Sequence, residues 1–540
     1  MAKQPLEDKT TGIHRAKTWE ICMYALNNVS TNAYMWMLSS ISYFLVGIVG
    51  ALAVVAGSII TMMRVWDGVT DPLVGLILDK TDSKFGKNRP FIVLGQIIMF
   101  LSTFMMFRFV PMMPSGIRFI VFLIIYMVYI LGYTCQCIVT KSAQTCLTND
   151  PKQRPVFGMF DSAFTTLFLS LFCPLYLTGT LVPNFTLTSD TAADKINAFV
   201  AQNPALVNVL TEKDGITTLS AFYNPEMWQH LQLTFAALSA VCAVCAIIAL
   251  WRKDRKEYFG TGAAVKVGMK DYVDVLKHNR AIQMLVVAAG TDKIATLAVG
   301  NTTVMICLFG IICGNYSLYS SYSALTAIPV VILAVTCINF IARRLGQRKA
   351  LLIGSIGASV FAVLLALWII FGNPSTLLLP TFSLTKPATW GNLFLPSNWS
   401  LFGVIFIVLY IIMRAFGNLT GAVVIPMTAD CADYEVYRSG KYVPGLMGTL
   451  FSFVDKLLSS LSTTIIAVAF SMIGFSNTLP TQETPYTTGI LIVTLICYLG
   501  LPVIGWLCNL VAMKFYPLTK ERMEEIQEEI ARIKRESEAA

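Results

Sequence analysis

Hydrophobic residues run along this chain in long, nearly unbroken blocks, not at the alternating spacings of half-buried soluble helices or strands. Twelve blocks are each long enough to cross a hydrocarbon core roughly 30 Å thick. They cover approximately residues 19–46, 50–78, 90–110, 117–145, 156–182, 231–251, 281–313, 317–342, 350–372, 401–427, 447–474 and 488–513. The pattern predicts an all-α polytopic membrane protein. The first block carries Asn27, Asn28 and Asn32, exceeds a signal-peptide core and lacks a small-residue cleavage pattern, so it reads as a retained first span.

Composition agrees: of 540 residues, 55% are hydrophobic and 13% charged, against about 25% charged in an ordinary soluble domain. The net charge of +9 raises nucleic acid as a partner, but the placement of the basic residues argues for membrane topology instead. With a cytoplasmic N-terminus, 30 of the 40 Lys and Arg residues fall in cytoplasmic segments and five in external loops. That asymmetry places both termini in the cytoplasm of a cell-membrane protein. Most of the thirteen cysteines lie inside apolar blocks without metal-ligand spacing and read as small core residues.

The longest cytoplasmic connection, 252–280, opens on Arg252-Lys253-Asp254-Arg255-Lys256 and splits the spans six and six. The expected organisation is an N-terminal six-helix bundle (1–251), a linker (252–280), a C-terminal six-helix bundle (281–513) and a tail (514–540) with alternating acids and bases. A faint repeat supports two related halves. Gly75, Asp79, Lys80, Gly86, Lys87 and Arg89 after the second span have a shorter basic counterpart in Arg343-Arg344-Leu345-Gly346-Gln347-Arg348-Lys349 after the eighth. Between such halves a substrate site near the bilayer midplane is expected. Of the external segments, 183–230 carries a short amphipathic helix near 192–210, and 373–400 is rich in Pro, Ser and Thr.

Ionisable residues inside spans carry the chemistry, because a charge at the bilayer centre costs at least about 2.5–3.5 kcal/mol. In the second span Arg64, Asp67 and Asp71 stand three and four residues apart, on one helical face. Two carboxylates so placed can ligate a small hard cation such as Na+, or share a proton. The alternative is a salt-bridge network that only packs helices. Lys456 in the eleventh span is a candidate partner for these acids, or pairs with Asp455. Lys141, in a polar stretch of the fourth span that includes Tyr133 and Thr134, is a candidate substrate contact or a lysine that snorkels to the cytoplasm. Asp292 and Lys293 in the seventh span point about 100° apart and leave their partners unnamed.

The segment Trp66-Asp67-x3-Asp71-Pro72-x2-Gly75, continuing to Asp79, Gly86-Lys87-x-Arg89-Pro90, resembles the glycoside–pentoside–hexuronide:cation symporters. Further matches are Pro426-x3-Asp430-x2-Asp433-Tyr434-Glu435, then Gly440-Lys441 and Gly445, Phe451-Ser452-Phe453-x2-Lys456, and the weaker Asn149-Asp150-Pro151-x2-Arg154. The resemblance extends from the first span to the twelfth. It implies a major facilitator fold of twelve helices in two six-helix bundles, with Asp67, Asp71 and Thr134 at the cation site. It also implies Arg64 in the cavity and Lys456 as the family's eleventh-span lysine. Two sugar-gripping aspartates of the galactoside-carrying members align here with Asn32 and Cys137. Their stacking aromatic aligns with Lys141, and an early fifth-span arginine aligns near Asp161 and Ser162. Loss of two acids and gain of a lysine favours an anionic substrate, such as a uronic acid or another acidic glycoside. Thr70 stands where sodium-using members often carry Asn, which leaves the coupling ion as H+ or Na+.

The expected activity is therefore symport of a sugar with a monovalent cation by alternating access, by a monomer with no cofactor. Substrate contacts are expected at Arg64, Asn32, Tyr133, Lys141 and Lys456. The competing readings are a lysolipid carrier of the same superfamily and a transporter-like sensor. An enzyme is disfavoured, since His14, His230 and His278 lie outside span centres and no nucleophile constellation is present.

Overall fold

The computed structural model describes residues 7–8, 13–81, 83–148, 153–213, 215–255, 277–337, 341, 343–381, 387–439, 444–519, 521–526, 528–529 and 532. Most of the linker, Asn149-Asp150-Pro151, Gly440-Lys441 and most of the tail beyond 519 lie outside the described residues. So do the side chains of Asp79, Lys80, Lys141, Arg154, Arg343, Pro426, Phe451, Ser452, Phe453 and Asp455.

Long apolar blocks become helices because a helix satisfies its own backbone polar groups where no water can. Among the described residues eight helices are long and apolar enough to cross a membrane: Arg89–Met112, Ser115–Gln144, Val156–Phe185, Pro225–Leu250, Arg280–Val299, Gln347–Phe371, Leu401–Gly421 and Thr488–Phe515. Thr18–Ser39 with Ile41–Val49, bent by 42°, makes a ninth. The expectation was twelve. The other three expected blocks are also helical, but Ala53–Lys80 carries Arg64, Asp67 and Asp71, which dilute its apolarity. The helices Leu318–Cys337 and Pro444–Ser471 complete the set, with apolar stretches among the described residues at Leu318–Leu333 and Lys456–Ser471.

Starts and bends follow local chemistry. Asn224 and Asn279 cap their helices by accepting the backbone N–H of Glu226 and Ile282. Pro72 and Pro329 sit inside helices, where each removes a backbone donor. Val156–Phe185 is interrupted by two π-helical turns, Leu167–Phe172 and Leu177–Leu181, on either side of Pro174.

The chain divides into two compact units. The first is Met1–Gly262 with Phe382–Thr389 and Phe470–Pro485, and the second is Ala263–Thr381 with Trp390–Ala469 and Tyr486–Ala540. The Phe470–Pro485 segment is tied into the first unit through aromatic hydroxyls. Tyr223 donates to the Leu479 carbonyl at 2.9 Å and accepts its N–H at 2.8 Å, while Tyr43 donates to the Pro480 carbonyl at 2.7 Å. The external segment of this unit forms the expected short helix, Ser189–Gln202, beside a small antiparallel sheet in which Ile216–Leu219 lies between Leu187–Thr188 and Thr211–Lys213.

Within each unit, polarity is arranged for lipid. Val93, Leu94, Ile120, Ile124, Val241 and Val244 face outward, whereas Ser30, Thr31, Gln136 and Ser239 are buried. Close approach is made by glycine: a Cβ on Gly95 would stand 2.7 Å from the Gly132 carbonyl oxygen, so the Arg89–Arg108 and Ser115–Leu147 helices touch backbone to backbone. That contact fixes the height of Thr134, two residues on. In the second unit a separate apolar cluster around Ile282, Leu285, Leu419 and Met427 joins four helices.

Beyond the Leu401–Gly421 apolar stretch, the same helix carries Asp430. Burial, then the neighbouring Asp433, pushes the Asp430 carboxyl up from its ordinary value to about 6. A carboxyl raised on folding binds more protons folded than unfolded, so its effect on stability is most favourable at low pH and is lost as pH rises from about 4 to 6. Asp430→Asn is expected to raise the melting temperature at pH 7.5 and to lose that advantage at pH 4, in a thermal-shift series across pH. A uniform gain at every pH would contradict the assignment.

Candidate functional site

Asp67, midway along Ala53–Lys80, has no exposed surface. Trp66 beside it donates from Nε1 to the Met127 carbonyl at 3.3 Å, which pins the roll of this helix against Ser115–Leu147. Across that contact Thr134 donates from Oγ1 to Asp67 Oδ1 at 3.1 Å. Thr70 Oγ1 lies 3.0 Å from Thr134 Oγ1 and also 3.0 Å from the Asp67 carbonyl. Each hydroxyl has one proton. With Thr134 donating to the carboxylate and Thr70 to the backbone carbonyl, two touching hydroxyls both hold Asp67.

The other oxygen of Asp67 faces Arg64 Nη1 at 3.7 Å, and the guanidinium stands 5.9 Å from the centre of the Tyr133 ring. Asp71, one turn further on, is half-buried on the same helix. Asp67, Thr134, Arg64 and Tyr133 thus come together, and Thr70 joins them. The spacing in the sequence placed the acids and Arg64 on one face, but it could not bring Thr70 and Thr134 to each other.

Asn32 donates to Asn28, at 2.9 Å to its carbonyl and 3.1 Å to its side-chain oxygen. Asn28 in turn donates to Asp161 Oδ1 at 2.8 Å and to Thr165 Oγ1 at 3.5 Å. Asp161 is therefore tied to the first helix by an amide. Tyr133 donates to Met35 Sδ at 3.6 Å, on that same helix. Lys456 is half-buried on Pro444–Ser471 in the second unit. The side chain of Lys141 falls outside the described residues.

A buried polar network behind this site escaped the sequence reading. Gln136 accepts from Thr31 at 3.2 Å and donates to Gln96 at 3.0 Å, and Ser239 donates to Gln96 at 3.1 Å. Ser239 also reaches Ser30 at 2.8 Å, so four helices share one set of amides and hydroxyls. The available signal was a pair of glutamines, Gln96 and Gln136, interrupting otherwise apolar runs. In the second unit Asp292 finds partners that sequence alone left unnamed: Thr420 Oγ1 donates to its Oδ1 at 3.0 Å, and Trp506 Nε1 at 3.1 Å.

Among the described residues, no three His, Cys, Asp or Glu side chains converge as metal ligands. A buried carboxylate with hydroxyl oxygens around it suits a proton or a small monovalent ion. Thr134→Val, which removes the donor to Asp67, is expected to weaken any cation held at this carboxylate by roughly 5- to 150-fold, from the about 1–3 kcal/mol of an unsatisfied buried group. Titration of ion-dependent transport against ion concentration reads this directly, and an unchanged half-saturation would contradict it.

Known proteins place this geometry in context. A glucuronide carrier protein homolog of Escherichia coli (strain K12) is 21% identical over 94% of this chain and 94% of its own length. A protein of the same strain named as a glycoside/cation symporter is 22% identical over 92% of this chain and 91% of its own. The crystal structure of the nucleoside transporter NupG superposes with a TM-score of 0.57 at 11% identity, covering 93% of this chain and 99% of that one. The Escherichia coli fucose:proton symporter gives 0.51 at 12% identity, over 93% and 98%. These likenesses show a major facilitator fold, and the family model described as MFS/sugar transport protein matches residues 23–520. By that match across nearly its whole length, the chain belongs to the sugar transporters of the major facilitator superfamily.

Proposed function

We propose that this protein is a symporter that moves a glycoside across the cell membrane together with H+ or Na+, with Asp67, Asp71 and Thr134 as the ion site. The observation that supports it best is a fully buried carboxylate, Asp67, that accepts from Thr134 and lies 3.7 Å from Arg64. A charge placed there for packing alone would be an expensive way to join two helices. Arg64 balances the charge of Asp67. When the ion arrives, the guanidinium is released toward Tyr133 and the sugar side, which couples ion binding to substrate affinity. Linkage makes the coupling mutual: sugar must raise ion affinity by the factor that the ion raises sugar affinity. Lys456 is assigned the corresponding ammonium on the second unit, and both termini are assigned to the cytoplasm.

For the substrate we favour an acidic glycoside of the hexuronide kind, recognised with help from Asn32, Tyr133 and Lys141. Three features support it: Asn32 and Cys137 where galactoside carriers hold acids, the added Lys141, and a relative named as a glucuronide carrier homolog. Asp161 is occupied by Asn28 at 2.8 Å. In proteoliposomes, a methyl glucuronide is expected to be taken up and to inhibit uptake of its labelled form at least about tenfold better than the matching neutral glucoside, the scale of one charge-assisted hydrogen bond. Uptake of the neutral sugar alone would reassign the pocket to neutral glycosides while leaving symport intact.

A further inference from the structure

The Ala53–Lys80 and Pro225–Leu250 helices end where Arg89–Arg108 begins. There, Lys84, Phe85, Lys87, Arg89, Trp251 and Arg255 surround a cavity of about 440 Å3. Asp254 supplies the acidic charge in its lining and is fully buried. It accepts the backbone N–H groups of Lys87 at 3.2 Å, Asn88 at 2.9 Å and Arg89 at 3.0 Å, together with Asn88 Nδ2 at 2.9 Å. A carboxylate so engaged also faces Arg89, whose Nε lies 3.5 Å away. Among the described residues the lining carries four cations and one carboxylate. Among the described residues, neither Lys84 nor Arg255 has a carboxylate within ion-pair distance.

The rim has a second character. Trp251 is 63% exposed and Phe85 is 74% exposed, at the level where the apolar Arg89–Met112 and Pro225–Leu250 helices reach their ends. Aromatic rings at that depth mark the membrane–water boundary. The Arg89 guanidinium stands 4.9 Å from the Trp251 ring centre and holds it beside the cavity. One turn into the apolar region, Val93 and Leu94 on one helix and Ile248 on the other are outward-facing and about half exposed.

We propose that this cavity binds the headgroup of an anionic phospholipid, with its phosphate between Lys84, Arg89 and Arg255 and its acyl chains against Val93, Leu94 and Ile248. Basic recesses at helix ends attract anionic headgroups at about 1 kcal/mol per cation. A soluble phosphate would satisfy the cations but leave the aromatic rim and the apolar flank unused, which selects the lipid. The site lies in the first unit beyond the C-terminal end of the helix that carries Asp67, does not include Asp67, and is independent of the sugar assignment.

Native mass spectrometry of the purified full chain, titrated with phosphatidylglycerol or phosphatidylcholine, tests it. The wild type is expected to retain phosphatidylglycerol preferentially, and millimolar inorganic phosphate is expected to leave that lipid bound. The Lys84→Gln/Arg255→Gln double variant is expected to lose at least about tenfold in phosphatidylglycerol affinity, with phosphatidylcholine binding and lipid-free melting temperature unchanged. Arg255→Lys, which keeps the charge, is expected to retain the lipid and guards against a folding defect. Equal lipid retention by wild type and double variant, or no preference for phosphatidylglycerol, would overturn the proposal. Displacement of the lipid by inorganic phosphate would reassign the cavity to soluble anions and overturn it equally.

Discussion

Asp67→Asn is expected to abolish concentrative uptake: the accumulation ratio falls to that of passive equilibration, although the protein still folds and still exchanges sugar. The reason is the environment of this one carboxylate. Asp67 has no exposed surface, Thr134 donates to one of its oxygens at 3.1 Å, and Arg64 lies 3.7 Å from the other. Asparagine preserves the shape and can still accept from Thr134, but it neither takes up a proton at physiological pH nor supplies a charged ligand to Na+. The ion then no longer distinguishes two states of the carrier, and a ligand with equal affinity for both shifts nothing. Coupling free energies of about 1–3 kcal/mol, or roughly 5- to 150-fold in affinity, are what is lost. Counterflow with equal sugar on both sides separates this outcome from misfolding, because exchange persists in the variant while accumulation does not. Wild-type accumulation in Asp67→Asn would remove this residue from the ion site.

The second large effect concerns stability. Asp254→Ala is expected to cost about 3–5 kcal/mol, the scale of breaking a buried charge network by removing one partner, and to lower the melting temperature by on the order of 10 °C. The buried carboxylate gathers three consecutive backbone N–H groups at the start of Arg89–Arg108, the Asn88 amide, and Arg89. Without it those donors lose their shared acceptor. Gly86 makes the same point from the other side: its φ is 95°, and a Cβ there would collide with the Asp254 carboxylate. Gly86→Ala is expected to destabilise in the same sense, whereas Ser83→Ala, which removes a donor to the Gly86 carbonyl at 2.7 Å, is expected to cost only about 1 kcal/mol. A melting temperature for Asp254→Ala within a degree or two of wild type would show that the loop does not depend on this clamp.

What could be read from the sequence, and what could not, divides along a physical line. Apolar block length shows membrane helices directly, because the bilayer imposes a length and the backbone imposes the helix. Even so, Ala53–Lys80 falls below the apolarity of an ordinary span because of the very charges that make it informative. Positions within one helix were equally legible: Arg64, Asp67 and Asp71 share a face by arithmetic. Contacts between helices were not. The meeting of Thr134 with Asp67 depends on the Gly95–Gly132 approach and on Trp66 reaching the Met127 carbonyl, neither of which periodicity encodes. Lys253 and Asp254 show the limit most clearly. In a run of charges they read as the solvated start of a linker, yet both are fully buried. Lys253 donates to the Arg15 and Leu147 carbonyls at 2.6 and 3.0 Å. Charge runs are usually solvated faces, and only the fold reveals which members turn inward.

The most direct test of sugar and ion crossing together through the Asp67 site is uptake of a labelled glucuronide into proteoliposomes under an imposed proton or sodium gradient, with wild type and Asp67→Asn side by side. The expected result is accumulation above the external concentration in wild type with one of the two gradients, its collapse when that gradient is dissipated, and equilibration without accumulation in Asp67→Asn. Accumulation that ignores both gradients, or that survives in Asp67→Asn, would contradict it.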